Sequence, residues 1–226
     1  MARLIEDITL RDKIHVFDDR AEAGKRLSVI LYEYKWKNLI ILAVPAGGVP
    51  VAHEIAKSFG ALLDLIIVRK VQIPGNPEAG FGAVGPDGEV VFNEILMNRL
   101  GLTDEEVKEQ VEKTKRIVEA RNQIYRSGRP FPDLQNKDVI IVDDGLASGY
   151  TMYEAVRFIK RRDASKVIVA VPTAPQRTVN MLLSEVDELY CLNIRRTSFF
   201  AVADAYRNWF DLSDEEAISI LQERSY

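Results

Sequence analysis

Two adjacent aspartates end an apolar stretch of the chain and stand directly before a loop of small residues. The apolar stretch is residues 139–142, the acids are Asp143 and Asp144, and the loop continues to Thr151. An apolar strand, a short loop and a helical pattern place such a loop at the carboxyl edge of a sheet. There the free N–H groups of the helix start and the positive end of its dipole attract anions. The spacing therefore predicts a phosphate site.

The loop after the acids has residue types that suit an anion. Gly145 and Gly149 allow a tight turn and a close approach of the backbone, while Ser148 and Thr151 add hydroxyl donors. Each charge-assisted hydrogen bond to a phosphate contributes about 1.5–3 kcal/mol. The predicted phosphate loop consists of Gly145, Leu146, Ala147, Ser148, Gly149, Tyr150 and Thr151.

Paired carboxylates beside a phosphate would repel it unless another group lies between them. Asp143 and Asp144 can accept hydrogen bonds from sugar hydroxyls, and they can hold Mg²⁺ directly or through water. An acidic pair followed by a phosphate loop therefore predicts a ribose phosphate with Mg²⁺ rather than a simple phosphate.

Short apolar runs alternate with helical patterns along the chain. Strands buried on both faces of a sheet have this composition, and their alternation with helices implies right-handed connections between parallel strands. We expect an α/β fold with a central, mostly parallel sheet and helices on both faces, in a single domain over residues 1–226. The four predicted strands occupy residues 38–45, 61–68, 139–142 and 166–171.

Two stretches depart from this alternation. Residues 80–93 contain two strand-like runs joined by a Pro-Asp-Gly turn, which is typical of an appended antiparallel hairpin. Thr103 and Glu106 have the spacing of a capping box, which starts a long charged helix ending near Arg126. We assign residues 94–130 to a helical insertion, whose polar faces suit a lid, a protruding arm or a dimer contact alike.

The segment VIIVDDGLASGYT resembles the ligand-binding signature of type I phosphoribosyltransferases, a Rossmann-like family that binds 5-phosphoribosyl 1-diphosphate (PRPP). The segment VPAGGVP resembles the family's loop that receives the diphosphate through backbone N–H groups. This likeness assigns Ala46, Gly47 and Gly48 to diphosphate binding, and we expect a strained or cis peptide near Ala46 and Gly47.

The segment VRK resembles the basic start of the family's mobile loop. It implies that Arg69 and Lys70 neutralise the diphosphate and that residues 71–81 form a flap. Longer stretches, namely DRAEAG, VPAGGVPVAHEIA, RKVQIPGNPE and AVADAY, resemble a less defined group of predicted phosphoribosyltransferases. The resemblance covers most of the chain, but it does not name the acceptor.

The resemblance implies transfer of the 5-phosphoribosyl group from PRPP to a nitrogen nucleophile, with Mg²⁺ and release of diphosphate. Asp143 and Asp144 would hold the ribose and the metal ion, and Arg69 and Lys70 would serve the leaving group. Family members that act on 6-oxopurines carry an acid four residues after the first aspartate, where this chain has Ala147. That difference argues against a hypoxanthine–guanine activity and leaves adenine, orotate and uracil types open.

The alternative function is a regulatory protein that senses PRPP or a nucleotide without transferring anything. A regulator of that kind would be expected to carry a nucleic-acid-binding segment, and the sequence has no evident basic stripe. The acidic and basic pairs therefore favour an enzyme, acting on a small-molecule acceptor. We expect acceptor contacts near residues 199–206, and the family likeness favours a homodimer.

Composition and patterning exclude other classes. The formal net charge of -4 gives no general attraction for nucleic acids or anionic membranes. The N-terminus lacks the apolar core of a signal peptide and no apolar run approaches a membrane span, so we expect a cytoplasmic protein. The glycines of residues 80–85 match a dinucleotide fingerprint, but a turn follows them instead of a helix. His15, His53 and Cys191 lack zinc-ligand spacing.

Overall fold

The strands form one large and one small sheet in a computed structural model that describes residues 2–223, with the side chains at positions 77 and 78 outside that description. Along this part of the chain the strands are β1 (Arg3–Glu6), β2 (Leu39–Ala43), β3 (Leu62–Leu65), β4 (Arg69–Ile73), β5 (Asn76–Val84), β6 (Val90–Phe92), β7 (Asp138–Val142), β8 (Lys166–Pro175) and β9 (Glu188–Arg195). The large sheet has the order β1-β9-β8-β7-β2-β3, and all its neighbouring strands are parallel.

Helices cover both faces of the large sheet. In the described residues they are α1 (Arg20–Ile30), α2 (Gly48–Phe59), α3 (Glu94–Leu100), α4 (Asp104–Arg126), α5 (Tyr150–Lys160), α6 (Gln176–Leu183) and α7 (Asp214–Gln222). Ile41 belongs to the core cluster that contains α1 and α2, whereas its neighbour Ile40 belongs to the cluster that contains α5 and α6. Successive residues of a strand point to opposite faces, so a strand between two helical layers must be apolar throughout. The predicted α/β class is confirmed.

The four apolar runs all form strands, but the large sheet contains two further strands that the sequence analysis did not predict. β1 and β9 form one end of the sheet, with Leu4 opposite Leu189. β9 mixes charged and apolar residues, yet every one of its residues is buried. β1 has only four residues, and its partner lies at the other end of the chain. Strand formation here depends on tertiary context more than on local composition.

The strand order of the large sheet changes direction between the neighbouring strands β2 and β7. From β2 the chain continues to β3 on one side, and from β7 it continues to β8 and β9 on the other. In open α/β sheets the crevice at the carboxyl ends of the strands at such a reversal is the usual ligand site. The loops that follow β2 and β7 both lie at this crevice.

The small sheet is antiparallel and has the order β4-β5-β6. The predicted hairpin is confirmed, because β5 pairs with β6 and the N–H of Gly88 donates to the carbonyl of Gly85 at 3.0 Å in the turn. The predicted flap at residues 71–81 is mostly a two-stranded ribbon rather than an open loop. β4 and β5 pair within it, with Gln72 opposite Gly80, and Pro74 and Gly75 form its tip.

The helical insertion contains α3 and α4. The predicted capping box is present, since the Glu106 N–H donates to the Thr103 hydroxyl at 3.2 Å and the Thr103 N–H donates to the Glu106 carboxylate at 2.8 Å. α4 packs against β4, and its second half is tied to the rest of the fold by ion pairs of Arg121 and Arg126. None of the described helices combines the length and apolar character needed to cross a bilayer.

Candidate active site

The two predicted aspartates follow β7 but face different surroundings. Asp143 lines two neighbouring cavities, whereas Asp144 is among the lining residues of neither. Lys70 and Thr151 line both cavities as well. Asp143 therefore lies where the two cavities meet.

Asp144 is held by an arginine to which the sequence analysis gave no role. Arg20 Nε donates to Asp144 Oδ2 at 2.8 Å, and the two side chains are only 7% and 13% exposed. Through Nη1 the same guanidinium donates to the carbonyl of Phe210 at 2.8 Å, and it lies 3.9 Å from the ring centre of Trp209. A buried carboxylate with a fixed, well-bonded cationic partner belongs to the framework of the fold.

The chain near the C-terminus also contacts the backbone of Asp144. The Tyr206 hydroxyl donates to the main-chain oxygen of Asp144, and Phe17 forms a parallel β-bridge with Tyr206. Tyr206 is 1% exposed, and burial holds the pKa of its hydroxyl well above the usual range, so it remains a neutral donor. Arg20 and Tyr206 lie in the DRAEAG and AVADAY segments, whose family likeness was the only sequence signal that could have pointed to them.

Burial raises the pKa of both carboxyls in the acidic pair. For Asp143, burial is the main cause and the negative charge of Asp144 adds to it, so the pKa lies well above the usual range. For Asp144, burial again raises the pKa, but the positive charge of Arg20 opposes the shift. The charge on Asp143 is therefore the less compensated of the two, and a cation in the cavities would stabilise it.

The predicted phosphate loop borders the larger cavity, which has a volume of about 380 Å³. Its floor and walls combine the loop with the start of α5, the antiparallel ribbon and the chain near the C-terminus. The lining residues are Gly145, Leu146, Ala147, Ser148, Gly149, Tyr150, Thr151, Met152, Asp143, Lys70, Ala79, Gly80, Gly82 and Val202.

Neighbouring groups fix the backbone of the phosphate loop. The Leu146 N–H donates to the carbonyl of Thr173 at 2.9 Å, and Thr178 Oγ1 donates to the carbonyl of Ala147 at 2.7 Å. Gly149 has a φ of 86°, and a Cβ there would lie 2.5 Å from Thr178 Cγ2. Within the described residues no side chain caps α5 and no acid lies in its first turn. Its first N–H groups and the positive end of its dipole are therefore free to bind an anion.

The loop after β2 packs directly against the acidic pair. A cis peptide joins Pro45 and Ala46, next to the position where the sequence predicts one. A Cβ on Gly47 would lie 2.1 Å from Asp144 Oδ2, and a Cβ on Gly48 would lie 2.7 Å from the last carbonyl of β7. Glycine is therefore required at both positions for the loop to approach the acids this closely.

The smaller cavity, of about 240 Å³, lies beside this loop. It brings the predicted basic pair, Arg69 and Lys70, next to Asp143. Of the predicted diphosphate loop, Ala46, Gly47 and Gly48 are not among the lining residues, although the preceding Val44 and Pro45 are. The full lining is Val44, Pro45, Val68, Arg69, Lys70, Gln72, Lys113, Thr114, Ile117, Asp143 and Thr151.

Cations dominate the charged lining of the smaller cavity. Burial, and then the nearby charge of Arg121, lower the pKa of Arg69 from its usual value. Lys113 contributes a third cation from α4, which sequence reasoning missed. Helical periodicity predicts which residues of a helix share a face, but it does not say which face will meet a cavity.

The acidic pair also has the chemistry of a Mg²⁺ site. Mg²⁺ is usually bound by one or two carboxylates together with water and the phosphates of a substrate. In the described part of the chain Asp143 forms no ion pair, while Asp144 is engaged by Arg20. Among the side chains that the structure describes, no cluster of three or more His, Cys, Asp or Glu could enclose a metal ion. This arrangement fits an ion shared between Asp143 and a bound phosphate ligand.

Other residues considered from the sequence lie elsewhere. His15 Nδ1 lies 2.9 Å from the main-chain oxygen of Tyr206, and Cys191 is fully buried in β9, which raises the pKa of its thiol. The glycines of residues 80–85 run along β5 into a turn, with β6 next, so no helix starts there. In the predicted acceptor segment, Val202 lines the larger cavity and Phe199 is 90% exposed.

Known proteins resemble this chain along most of its length. The family model of the phosphoribosyl transferase domain matches residues 12–204. A Mycobacterium tuberculosis H37Rv protein named "putative phosphoribosyl transferase" is 39% identical over 207 residues, which cover 91% of this chain and 46% of that protein. The chain therefore spans about half the length of the curated relatives it matches.

The crystal structure of TT1426 from Thermus thermophilus is 33% identical, with a TM-score of 0.76, covering 93% of this chain and 99% of that one. Because the family model matches residues 12–204, this chain belongs to the phosphoribosyltransferase family.

Proposed function

We propose that this chain binds PRPP with Mg²⁺ and transfers its 5-phosphoribosyl group to a nitrogen nucleophile, releasing diphosphate. One observation supports this most strongly: two cavities suited to anions meet at a single carboxylate, Asp143. PRPP has the matching form, since a phosphate lies at one end of its ribose and a diphosphate at the other. A simple phosphate would need only one of the two cavities.

Each part of PRPP has a place in this arrangement. The 5′-phosphate would bind in the larger cavity, on the N–H groups of residues 145–151 and the start of α5. The ribose hydroxyls would donate hydrogen bonds to Asp143. The diphosphate would lie in the smaller cavity, near Arg69 and Lys70.

The difficult step in the transfer is loss of the leaving group. As the bond between ribose C1 and the diphosphate oxygen breaks, positive charge develops on the sugar while diphosphate leaves with the electron pair. The acceptor nitrogen then supplies the pair for the new bond to C1, and a proton on that nitrogen is lost to water or to the released diphosphate. Asp143 would lie near the developing positive charge, and Arg69 and Lys70 would stabilise the negative charge on the diphosphate. A bound Mg²⁺ would add charge neutralisation at the diphosphate oxygens.

Water must be excluded, because it would otherwise take the place of the acceptor. The ribbon of β4 and β5 is our candidate cover, since Lys70, Gly80 and Gly82 already line the cavities. The acceptor would approach from the side of Val202, whose side chain lies against Gly145. Ala147 stands where 6-oxopurine enzymes of the family are expected to carry an acid, so we propose another class of acceptor. A homodimer and a cytoplasmic location, both expected from the sequence, stay predictions.

Turnover with a panel of acceptors would test this function. The protein would be incubated with PRPP, Mg²⁺ and each of a set of nucleobases and small amines, and diphosphate release would be measured. We expect release with at least one acceptor and its loss when EDTA removes Mg²⁺. Tight PRPP binding without release for any acceptor would instead support the regulatory alternative, a protein that senses PRPP.

A further inference from the structure

The long helix α4 forms one wall of the smaller cavity. Lys113, Thr114 and Ile117 line this cavity, together with Val44 and Pro45 just after β2 and with Arg69 and Lys70 from β4. Three elements distant in sequence therefore converge there: the loop after β2, the antiparallel ribbon and the helical insertion. From the sequence, this insertion suits a lid, a protruding arm or a dimer contact alike.

The position of α4 is fixed by packing on both sides of Lys113. Val111, Thr114 and Val118 are buried against the rest of the fold, with exposures of 8%, 5% and 3%. Further along the helix, Arg126 pairs with Asp64 at 3.2 Å. Lys113 stands beside this buried face, so its side chain starts from a fixed backbone at the rim of the cavity.

The charges around the smaller cavity are unbalanced. Lys115, two residues further along α4, pairs with Glu112 at 3.2 Å, but Lys113 has no ion pair with any side chain that the structure describes. Arg69 likewise has no ion pair in the described part of the chain. Asp143 is the one carboxylate among the described lining residues. A cavity with more cations than anions favours a ligand with several negative charges.

We infer that Lys113 binds the diphosphate of PRPP, which makes the helical insertion part of the active site. This inference rests on the proposed function and adds a residue and a role to it. Arg69 and Lys70 approach the cavity from β4, and Lys113 approaches it from α4, so the diphosphate lies between cations on two different elements. A lysine is suited to this position because its flexible stem and compact charge can follow the diphosphate as it leaves.

The test compares Lys113→Ala with Lys108→Ala, by calorimetric titration in the presence of Mg²⁺. Lys108 is exposed on the same helix and does not line the smaller cavity, so both substitutions remove the same charge from α4. Three ligands would be titrated into each variant: PRPP, inorganic diphosphate and ribose 5-phosphate. The last of these carries the phosphate and sugar but lacks the diphosphate.

For Lys113→Ala we expect about tenfold weaker binding of PRPP and of diphosphate, the effect of one lost charge-assisted hydrogen bond. Binding of ribose 5-phosphate should be unchanged, Lys108→Ala should match the wild type, and Lys113→Arg should retain most of the affinity. Unchanged PRPP affinity in Lys113→Ala, or equal weakening of all three ligands, would overturn this role while leaving the proposed function intact. If the wild type bound none of the three, the proposed function itself would fail.

Discussion

Asp143 and Asp144 are neighbours in the chain, yet they belong to two different regions of the molecule. Asp143 faces two cavities and forms no ion pair within the described residues, and the pKa of its carboxyl is raised by burial and by its neighbour. Asp144 faces the other way and is held by the buried guanidinium of Arg20, which stacks on Trp209. One acid is free for a ligand, and the other is part of the framework.

The difference shows that two adjacent acids of one motif can have different roles, one facing the cavities and the other stabilising the fold. Residues that follow a strand in succession point in different directions, so an acidic pair there cannot present both carboxylates in the same way. Asp144 accepts a hydrogen bond from Arg20, and its side chain lies so close to Gly47 that a Cβ would not fit between them. It thereby joins the loop after β2 to the first helix and to the chain near the C-terminus. This framework holds Asp143 in place between the cavities.

The largest expected effect is on stability, at Asp144. Substitution Asp144→Ala leaves the Arg20 guanidinium buried without its carboxylate, and breaking a buried ion pair in this way costs about 3–5 kcal/mol. The free energy of unfolding, from urea denaturation, should fall by that amount. For Asp143→Ala we expect a loss of at most about 1 kcal/mol, because the substitution leaves no ion-pair partner behind and removes only the hydrogen bond that the Asp144 N–H donates to Asp143 Oδ1 at 2.8 Å. Equal losses in the two variants would remove the distinction between the acids.

A smaller effect is expected when lysine replaces Arg20, because lysine keeps the positive charge but lacks the planar guanidinium. Arg20→Lys removes the planar group that stacks 3.9 Å from the Trp209 ring centre and donates to both Asp144 and Phe210. We expect a loss of about 1–2 kcal/mol in unfolding free energy, between the wild type and Asp144→Ala.

The matched control for this substitution is Arg26→Lys on the same helix. Arg26 pairs with Glu22 at the surface, where its side chain is 44% exposed, so its replacement should change stability by less than about 0.5 kcal/mol. Equal losses in Arg20→Lys and Arg26→Lys would contradict this prediction. They would show that the contact of Arg20 with Trp209, and its hydrogen bonds to Asp144 and Phe210, do not stabilise the fold.

The third expected effect is a pH dependence that belongs to Asp143. Its folded pKa is raised, so its contribution to stability is present below the unfolded value of about 3.9 and is lost as pH rises through the folded value. Asp143→Asn lacks this titration. Without ligand or Mg²⁺, the variant should therefore gain stability relative to the wild type as pH rises from about 4 through that window. Urea denaturation at a series of pH values would check this, and a difference that stays constant or shrinks would contradict it.

The sequence predicted those parts of the molecule that depend on local pattern. The strands at 38–45 and 139–142 are apolar because both of their faces are covered, and the Thr103 capping box starts α4 because its partners lie within one turn. The phosphate loop stays a prediction, and it could be made because its glycines, hydroxyls and acids are contiguous. Local patterns therefore predicted four of the six strands of the large sheet and the carboxyl edge at which the candidate site lies.

What the sequence did not predict depends on distant contacts. Arg20 and Asp144 are 124 positions apart, and apart from the family likeness of the DRAEAG segment nothing around Arg20 indicates that it will meet a buried acid. Lys113 is one of several exposed lysines on a charged helix, and only the packing of α4 brings it to a cavity. β9 was missed because its charged residues hide a strand that the fold buries completely.

The most direct test of the central claim is the affinity of the Asp143→Asn variant for PRPP. Calorimetric titration with Mg²⁺ should show binding by the wild type and about 100-fold weaker binding by the variant, since the amide keeps the shape but loses the charge that, in our proposal, would meet the ribose and the metal ion. The thermal unfolding temperature of the variant should not fall. The same PRPP affinity in the two proteins would contradict the assignment of Asp143 as the ligand-facing acid of this site.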